Sequence, residues 1–282
     1  YSKLAYILAY LKANYPAYFF AQLLSSSMGS DGQKRSSYIR EAQELEIPIL
    51  PPSINKSHAY FAVEKEAIRF GLMAIKGIGY DTVEKILEAR KEKAFKHLFD
   101  FVLRVNIKRN ALETLILAGA FDETNSNRAS LLASITPAIE RAELFGGYGE
   151  GALFKDSLDM KATYVDMEDF SLMQKLADEQ ALLGTYMSTH PLKKNRAILK
   201  KLNYLSIKSM RRMNQGAVCQ LLVFTPRIKK IRTRRGDSMA FITLSDETDE
   251  IEAVVFSKVW RSINQLLEEN QLYDTRGRVS VR

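Results

Sequence analysis

The sequence contains very little cysteine and histidine, and their scarcity excludes several kinds of chemistry. Cys219 is the single cysteine among 282 residues, so neither an intramolecular disulfide nor a cysteine-based zinc site can form. One thiol in a chain of this length fits a reducing compartment, and we expect the cytoplasm. The histidines His58, His97 and His190 lie far apart and share no motif, so each is interpreted as a surface or structural residue.

Patterns that carry catalysis are missing as well. The chain has no glycine-rich phosphate loop and no Ser/His/Asp set. Its acidic groups at residues 246–250 and 166–169 are predicted in a turn and in a linker, whereas two-metal chemistry needs carboxylates on rigid strands. We therefore predict no catalytic residue, no metal site and no cofactor within this chain.

Long apolar runs and targeting signals are also absent. No stretch is apolar over the length needed to span a bilayer, so a membrane partner is not expected. The first residues, Tyr1-Ser2-Lys3-Leu4, contain neither an initiator methionine nor a signal peptide. They predict a segment cut from a longer polypeptide.

The residues that are present favour a multidomain protein with an anionic partner. A length of 282 residues predicts two or more domains, and 46% apolar residues are enough for real cores. The net charge of +8 and a pI near 9.3 favour binding to a polyanion such as nucleic acid.

A glycine motif, Lys76-Gly77-Ile78-Gly79, is the stretch around which the chain is organised. Gly77 and Gly79 lack Cβ, so the backbone can turn sharply and approach another surface closely. The helix predicted to follow carries apolar residues at helical spacing, namely Val83, Ile86 and Leu87.

The amides at the start of that helix are suited to a phosphate group, because they have no partner within the helix. Four basic residues lie nearby: Lys76, Lys85, Arg90 and Lys91. This pattern is typical of a helix-hairpin-helix, which holds a nucleic-acid backbone without reading bases. The alternative is a glycine turn joining two core helices.

The order of patterns predicts an α+β multidomain fold with four regions. Residues 1–52 read as helices that end in a proline-rich connector, and residues 53–155 as a β-hairpin followed by tandem helix-hairpin-helices. The second hairpin is expected at Gly119-Ala120-Phe121-Asp122, before one helix from an Asn127 N-cap to Leu144. Residues 156–204 are interpreted as a linker with connecting helices.

The last region, residues 205–282, changes to strand periodicity. Three strands, a helix and a further strand match the order of an OB-fold, a five-stranded barrel. The fifth strand is not found, so we expect a truncated, open barrel.

A basic segment within this region is the second candidate site. Its basic residues are Arg227, Lys229, Lys230, Arg232, Arg234 and Arg235. OB-folds bind single strands through a positive groove and stacked aromatic rings, for which Phe224 and Phe241 are candidates. Both rings could equally belong to the barrel core, and the basic segment could be a solvated hairpin.

The glycine-rich tract from 146 to 169 is predicted to be a mobile linker, and an apolar pair lies within it. Leu153 and Phe154 end the segment Glu150-Gly151-Ala152-Leu153-Phe154. Two large side chains on a flexible segment can anchor it in a partner's apolar pocket. The alternative is that they fold back onto their own domain.

The order of motifs resembles the C-terminal half of the bacterial DNA polymerase III alpha subunit, of the DnaE type. The matching stretches are residues 10–16 (YLKANYP), 49–55 (ILPPSIN), 71–79 (GLMAIKGIG), 117–122 (LAGAFD), 183–191 (LGTYMSTHP) and 239–246 (MAFITLSD). They extend over essentially the whole chain.

The resemblance implies that residues 1–52 end the fingers domain and that residues 53–155 form the clamp-binding domain. It implies duplex DNA on the first hairpin, single-stranded template on the OB-fold, and contacts with the sliding clamp (beta subunit) and other replisome subunits. In the clamp motif Glu150 stands where the family has Gln, and a carboxylate cannot donate the amide hydrogen bond.

The resemblance also places the catalytic aspartates and their magnesium in a palm domain outside this chain. Two other functions stay open from the residues alone. One is a stand-alone repair or tRNA-binding protein with an OB-fold, and the other is a hydrolase or transferase with its own site.

Overall fold

A computed structural model of the chain describes residues 2–28, 32–124, 126–146, 163–188, 192, 196–233 and 236–280. The chain divides into two compact units. The first unit comprises residues 1–170 and 178–187, and the second comprises residues 171–177 and 188–282. The predicted domain boundaries near residues 52, 155 and 204 stay predictions.

Helices form the larger part of the first unit. Their bounds are α1 Ser2–Asn14, α2 Pro16–Ser26, α3 Gly32–Glu44, α4 Tyr80–Glu92, α5 Leu98–Arg104, α6 Arg109–Leu117, α7 Arg128–Ala133 and α8 Ile135–Gly146, and a further helix, α9, spans Leu172–Leu183. Pro16 occupies the first turn of α2, where its missing amide costs no hydrogen bond. No helix among the described residues is long and apolar enough to cross a membrane.

A small sheet precedes the glycine motif, as the predicted β-hairpin requires. Its strands are β1 Ile49–Leu50, β2 Ala62–Glu64 and β3 Ala67–Arg69. The order is β1-β3-β2, with β1 parallel and β2 antiparallel to β3. Lys65 turns the hairpin with a φ of 59°.

The helix expected from Asn127 to Leu144 is interrupted. Asn127 is the N-cap of α7, and its side chain accepts a hydrogen bond from the amide of Ser130. The helix breaks at Ser134 because Pro137, in the first turn of α8, has no amide to continue the hydrogen-bond ladder.

Buried aromatic rings pack α5 against residues of the first unit that lie outside the helices. The Phe101 ring lies 4.8 Å from Phe95 and 5.0 Å from Phe121, both edge to face. Aromatic pairs in this geometry stabilise a core beyond the apolar area that they bury. Tyr164 extends this core, because its ring packs on Phe99.

Residues 163–170 differ from the mobile linker predicted over 146–169. The hydroxyl of Tyr164 accepts a hydrogen bond from the amide of Leu98, and the amide of Val165 donates to the Ser134 hydroxyl. These residues belong to the first unit because buried partners satisfy their backbone.

The second unit is built on an antiparallel sheet. Its strands are β4 Val218–Arg232, β5 Ser238–Ser245, β6 Glu250–Val255 and β7 Gln271–Arg278, and its helices include α10 Arg196–Lys201, α11 Ile207–Met210 and α12 Ser257–Ile263. The strand order is β6-β5-β4-β7. The two segments predicted at 217–224 and 227–235 are one long strand, bent by a bulge between Phe224 and Arg227.

The core of this unit lies on one face of the sheet. It contains Cys219, Leu221, Val223, Ala240, Ile242, Leu244 and Trp260. These residues alternate along β4 and β5 because successive side chains of a strand point to opposite faces. Trp260 brings α12 onto this face.

Candidate nucleic-acid interface

The first hairpin presents its glycines to solvent and its isoleucine to the core. Gly77 and Gly79 are exposed, whereas Ile78 is only 7% exposed and belongs to the main apolar cluster. The amide of Ile78 donates to the carbonyl of Ile75 at 3.2 Å and closes the turn. Gly77 adopts a φ of 89°, which a residue with a Cβ rarely takes.

The backbone amides of this hairpin are available for a ligand. Within the described residues, the amides of Gly77 and Gly79 have no hydrogen-bond partner. Gly79 is also the N-cap of α4 and offers no side chain to cap it. The first-turn amides of α4 therefore lack helical partners, and together these donors form a surface that suits a phosphate.

The four nearby basic residues divide into two groups. Lys76 and Lys85 are exposed, although the Lys85 ammonium donates to the Asn106 carbonyl at 3.1 Å. Arg90 instead donates to the carbonyl of Ile54 at 3.0 Å, and desolvation by burial lowers its pKa.

Lys91 forms an exposed ion pair with Glu88 at 2.5 Å. Arg90 is half-buried and its guanidinium is bonded to a backbone carbonyl, so its contribution to the charge around the hairpin stays a prediction. Lys76 is the basic side chain within the hairpin itself.

The second hairpin also turns at a glycine with positive φ, but most of the amides at its tip are already bonded within the turn. Gly119 has a φ of 81°, and its amide donates to Ile116 at 2.9 Å. The amides of Ala120 and Asp122 donate to the carbonyls of Leu115 and Gly119. A phosphate would have to displace these bonds.

A buried arginine fills the space that the second hairpin leaves. Arg128 is 3% exposed and donates to Asp122 at 2.6 Å, to Glu179 at 2.9 Å and to the Leu117 carbonyl at 3.1 Å. Burial alone lowers the pKa of Arg128, but the two carboxylates outweigh it and raise the pKa overall. The two hairpins therefore share a glycine with positive φ and differ in the groups that surround it.

The basic segment of the second unit is distributed over both faces of its sheet. Arg227 pairs with Thr243 and Lys229 with Phe241, so these four residues share the face opposite the core. Lys230 lies on the core face instead, where its ammonium is 6.0 Å from the centre of the Trp260 ring.

Arg232 has the same parity as Lys230 along β4 and pairs with Ser238. The described residues of the basic segment are thus divided between the two faces of the sheet, because successive side chains of a strand point in opposite directions. On the face opposite the core, Arg227 and Lys229 form a strip together with the ring of Phe241.

The two aromatic candidates also differ. Phe224 is fully buried, so its prediction as a stacking platform is wrong. Phe241 is half-buried on the outer face, opposite Lys229. Phe256, which the sequence arguments did not single out, is 67% exposed directly after β6. In the sequence, the position of this aromatic residue at the end of a predicted strand could have indicated it as a candidate.

Several predicted residues lie outside the described part of the chain. They are Glu150, Leu153 and Phe154 of the clamp motif, and Arg234 and Arg235 of the basic segment. The roles assigned to them stay predictions.

Two protein families match this chain. Residues 46–131 match the family described as "Helix-hairpin-helix motif". Residues 226–282 match the family described as "OB-fold nucleic acid binding domain". Both matches confirm the predicted fold class.

Relatives with a common name match the chain along its whole length. The DNA polymerase III subunit alpha of Bacillus subtilis (strain 168) is 45% identical over 287 residues, which is 100% of this chain and 26% of the relative. The protein of the same name from Halalkalibacterium halodurans is 37% identical, over 99% of this chain and 25% of the relative. That of Staphylococcus aureus (strain MRSA252) is 36% identical, over 100% and 26%.

The chain thus spans about a quarter of the length of these relatives. The resemblance to the bacterial polymerase III alpha subunit, carried by the motifs quoted above, is confirmed. The relatives and the two domain types do not show which partners this chain binds.

Proposed function

We propose that this chain, as a homologue of one region of the DNA polymerase III alpha subunits, is the part of such a subunit that holds DNA and the sliding clamp. The first hairpin binds the backbone of duplex DNA. The OB-fold binds the single-stranded template. The clamp motif and other replisome contacts hold the polymerase on its DNA template.

The open first hairpin is the observation that carries this proposal. Glycine amides without partners, an uncapped helix start and the exposed Lys76 together form a backbone-reading surface. Such contacts position a protein on DNA irrespective of sequence, which is what a polymerase moving along its product needs.

Duplex binding by the full chain tests this role. We expect Lys76→Gln to weaken the affinity for a mixed-sequence DNA duplex uniformly, and to reduce the salt dependence by about one released counterion. Lys91→Gln is the matched control, because it removes the same charge from an exposed ion pair on α4. Equal affinities for Lys76→Gln and the unaltered chain would contradict the hairpin's role.

The OB-fold role depends on the strip that combines charge and aromatic rings. Arg227 and Lys229 would contact phosphates, while Phe241 and Phe256 would stack on bases. We expect Phe256→Ala to lower the affinity for oligo(dT), since one stacked base contributes about 1–3 kcal/mol. Val259→Ala, which trims another exposed apolar side chain nearby in α12, serves as the control. Unchanged affinity of Phe256→Ala would remove that ring from the interface.

Clamp binding rests on Leu153 and Phe154 as anchors. The double substitution Leu153→Ala with Phe154→Ala is expected to abolish binding to purified sliding clamp. Glu150→Gln is expected to strengthen it, because an amide restores the missing donor. Identical clamp affinity of the double variant and the unaltered chain would contradict the tether.

Nucleotide transfer is assigned to residues outside this chain, with magnesium bound there. The proposal predicts that the purified chain extends no primer when magnesium and nucleotides are supplied. Metal-dependent incorporation by the chain alone would contradict it.

A further inference from the structure

A short segment far along the chain, Asp178–Met187, contacts the base of the first hairpin. We call residues Asp178–Met187 the return segment; they belong to the first unit. The amide of Lys76 donates to the carbonyl of Leu182 at 2.9 Å. The residue before the two glycine amides is therefore held by the return segment.

Helix α3 contacts both of these elements. Arg35 donates to the carbonyl of Ala74 at 3.1 Å, just before the hairpin. The hydroxyl of Ser36 donates to the carbonyl of Gly184 at 2.6 Å in the return segment. Gly184 has a φ of 71°, and a Cβ there would lie 3.2 Å from the Arg35 guanidinium. The hairpin base, α3 and the return segment thus form one junction.

The return segment is itself anchored at the second hairpin. Glu179 is completely buried, and one of its carboxylate oxygens accepts from Arg128 at 2.9 Å. The other oxygen accepts from the amide of Met187 at 2.7 Å. Leu183 is fully buried in the main apolar cluster between these contacts. The segment is therefore held at Glu179 by the ion pair with Arg128 and at Leu183 by packing, and the Met187 amide closes it onto Glu179.

We infer that Arg128 and Glu179 are positioning residues for the first hairpin: the second hairpin binds the return segment instead of DNA, and the return segment sets the orientation of the Gly77 and Gly79 amides. This inference rests on the proposed duplex-binding role of the first hairpin. It accounts for the different surroundings of two hairpins that each turn at a glycine with positive φ.

The physical reason is that a backbone grip works only when its donors are already aligned. Ordering a loop at the moment of binding costs free energy, so a preorganised hairpin binds more tightly. A buried ion pair gives the return segment one defined place, since an unpaired buried charge is strongly disfavoured. Loss of the Glu179 charge should loosen the Lys76–Leu182 hydrogen bond, 2.9 Å in length, before it unfolds the unit.

The test uses Glu179→Gln in the full chain, with two measurements. Hydrogen exchange at the Lys76 amide is expected to become at least about tenfold faster, and the duplex affinity is expected to fall several-fold. Asp100→Asn is the matched control, because it removes a carboxylate that pairs with Arg104 in the same unit at 12% exposure of each side chain. Asp100→Asn should leave the exchange rate of the Lys76 amide and the duplex affinity unchanged, when the two variants are compared at similar thermal stability. Arg128→Lys, which keeps the charge, should recover part of the affinity lost in Arg128→Met.

Each outcome decides between the hypotheses. If exchange at Lys76 or duplex affinity is the same in Glu179→Gln and the unaltered chain, the positioning role is wrong. If Lys76→Gln also binds duplex normally, there is no grip to position, and the proposed function fails with it. Should Glu179→Gln not fold, Ser36→Ala removes the Ser36–Gly184 hydrogen bond instead and is read by the same two measurements. Normal exchange and affinity in that variant would overturn the proposal.

Discussion

Gly119 lies so close to Arg128 that a Cβ atom at Gly119 would overlap the Arg128 guanidinium. The same Cβ would lie 3.0 Å from a carboxylate oxygen of Asp122. Gly119 also has a φ of 81°, in the left-handed region. The buried guanidinium of Arg128 therefore fits against the turn of the second hairpin because residue 119 has no Cβ. The positive φ and the contact with Arg128 each favour glycine at this position.

This relationship predicts a large difference between two glycine substitutions. Gly119→Ala is expected to destabilise the first unit by about 1–3 kcal/mol for backbone strain and by a similar amount for overpacking. Gly79→Ala is the control, because Gly79 has a φ of −92° and no atom lies within 4 Å of its Cβ position. Urea unfolding followed by circular dichroism measures both. Equal stabilities would contradict the crowding at Gly119.

Removing the guanidinium itself should be costly. Arg128→Met leaves the buried Glu179 without its ion-pair partner, and we expect a loss of about 3–5 kcal/mol in the free energy of unfolding. Lys91→Met breaks the exposed pair with Glu88, for which about 0–1 kcal/mol is expected. A loss at Arg128 no larger than that at Lys91 would show that the buried network is not needed for stability.

The alternation of basic residues along β4 predicts two different responses. Lys229→Ala should weaken oligo(dT) binding several-fold, because Lys229 shares a face with Phe241. Lys230→Ala should leave binding almost unchanged and alter the fluorescence of Trp260, whose ring lies under its ammonium. A single tryptophan makes the second signal unambiguous. Equal losses of affinity would indicate that both faces contact the strand.

Glu123 predicts an acid-sensitive part of the stability. Burial raises its pKa, but hydrogen bonds from Ser53 and Lys56 outweigh this effect, so the folded pKa lies below the ordinary value of 4.5. A lowered carboxyl pKa contributes stability above the unfolded pKa, and this contribution is lost as the pH falls through the folded pKa. The difference in unfolding free energy between the unaltered chain and Glu123→Gln should therefore shrink below about pH 4.5. A difference that stays constant from pH 7 to pH 3 would refute this.

Cys219 should be nearly inert in the native protein. Its side chain is in the core of the second unit, and burial raises the pKa of its thiol. Because the thiolate is the reactive form, modification by a thiol reagent at pH 8 should be at least about tenfold slower than in urea. Rapid labelling of the native chain would mean that this core opens easily.

Local patterns in the sequence were sufficient to predict many of the turns, helix caps and strands of this fold. The Gly77–Gly79 turn, the Asn127 cap and the change to strand periodicity after Gly216 each depend on a few neighbouring residues. Glycine conformational freedom, capping and periodicity act over about one turn or one strand, so they can be read without knowing the tertiary contacts. The order of these elements carried the resemblance that the relatives confirm.

Only the tertiary structure decided which groups surround each of the two hairpins. The guanidinium of Arg128 lies against the second turn and pairs with Glu179, which is 51 residues further along the chain, and no local pattern links these two residues. The burial of Phe224, and which of Lys229 and Lys230 lies on the core face, likewise follow from a bulge and from pairing with β5. Long-range contacts of this kind decide which side chains are buried or paired, and a local sequence pattern does not contain them.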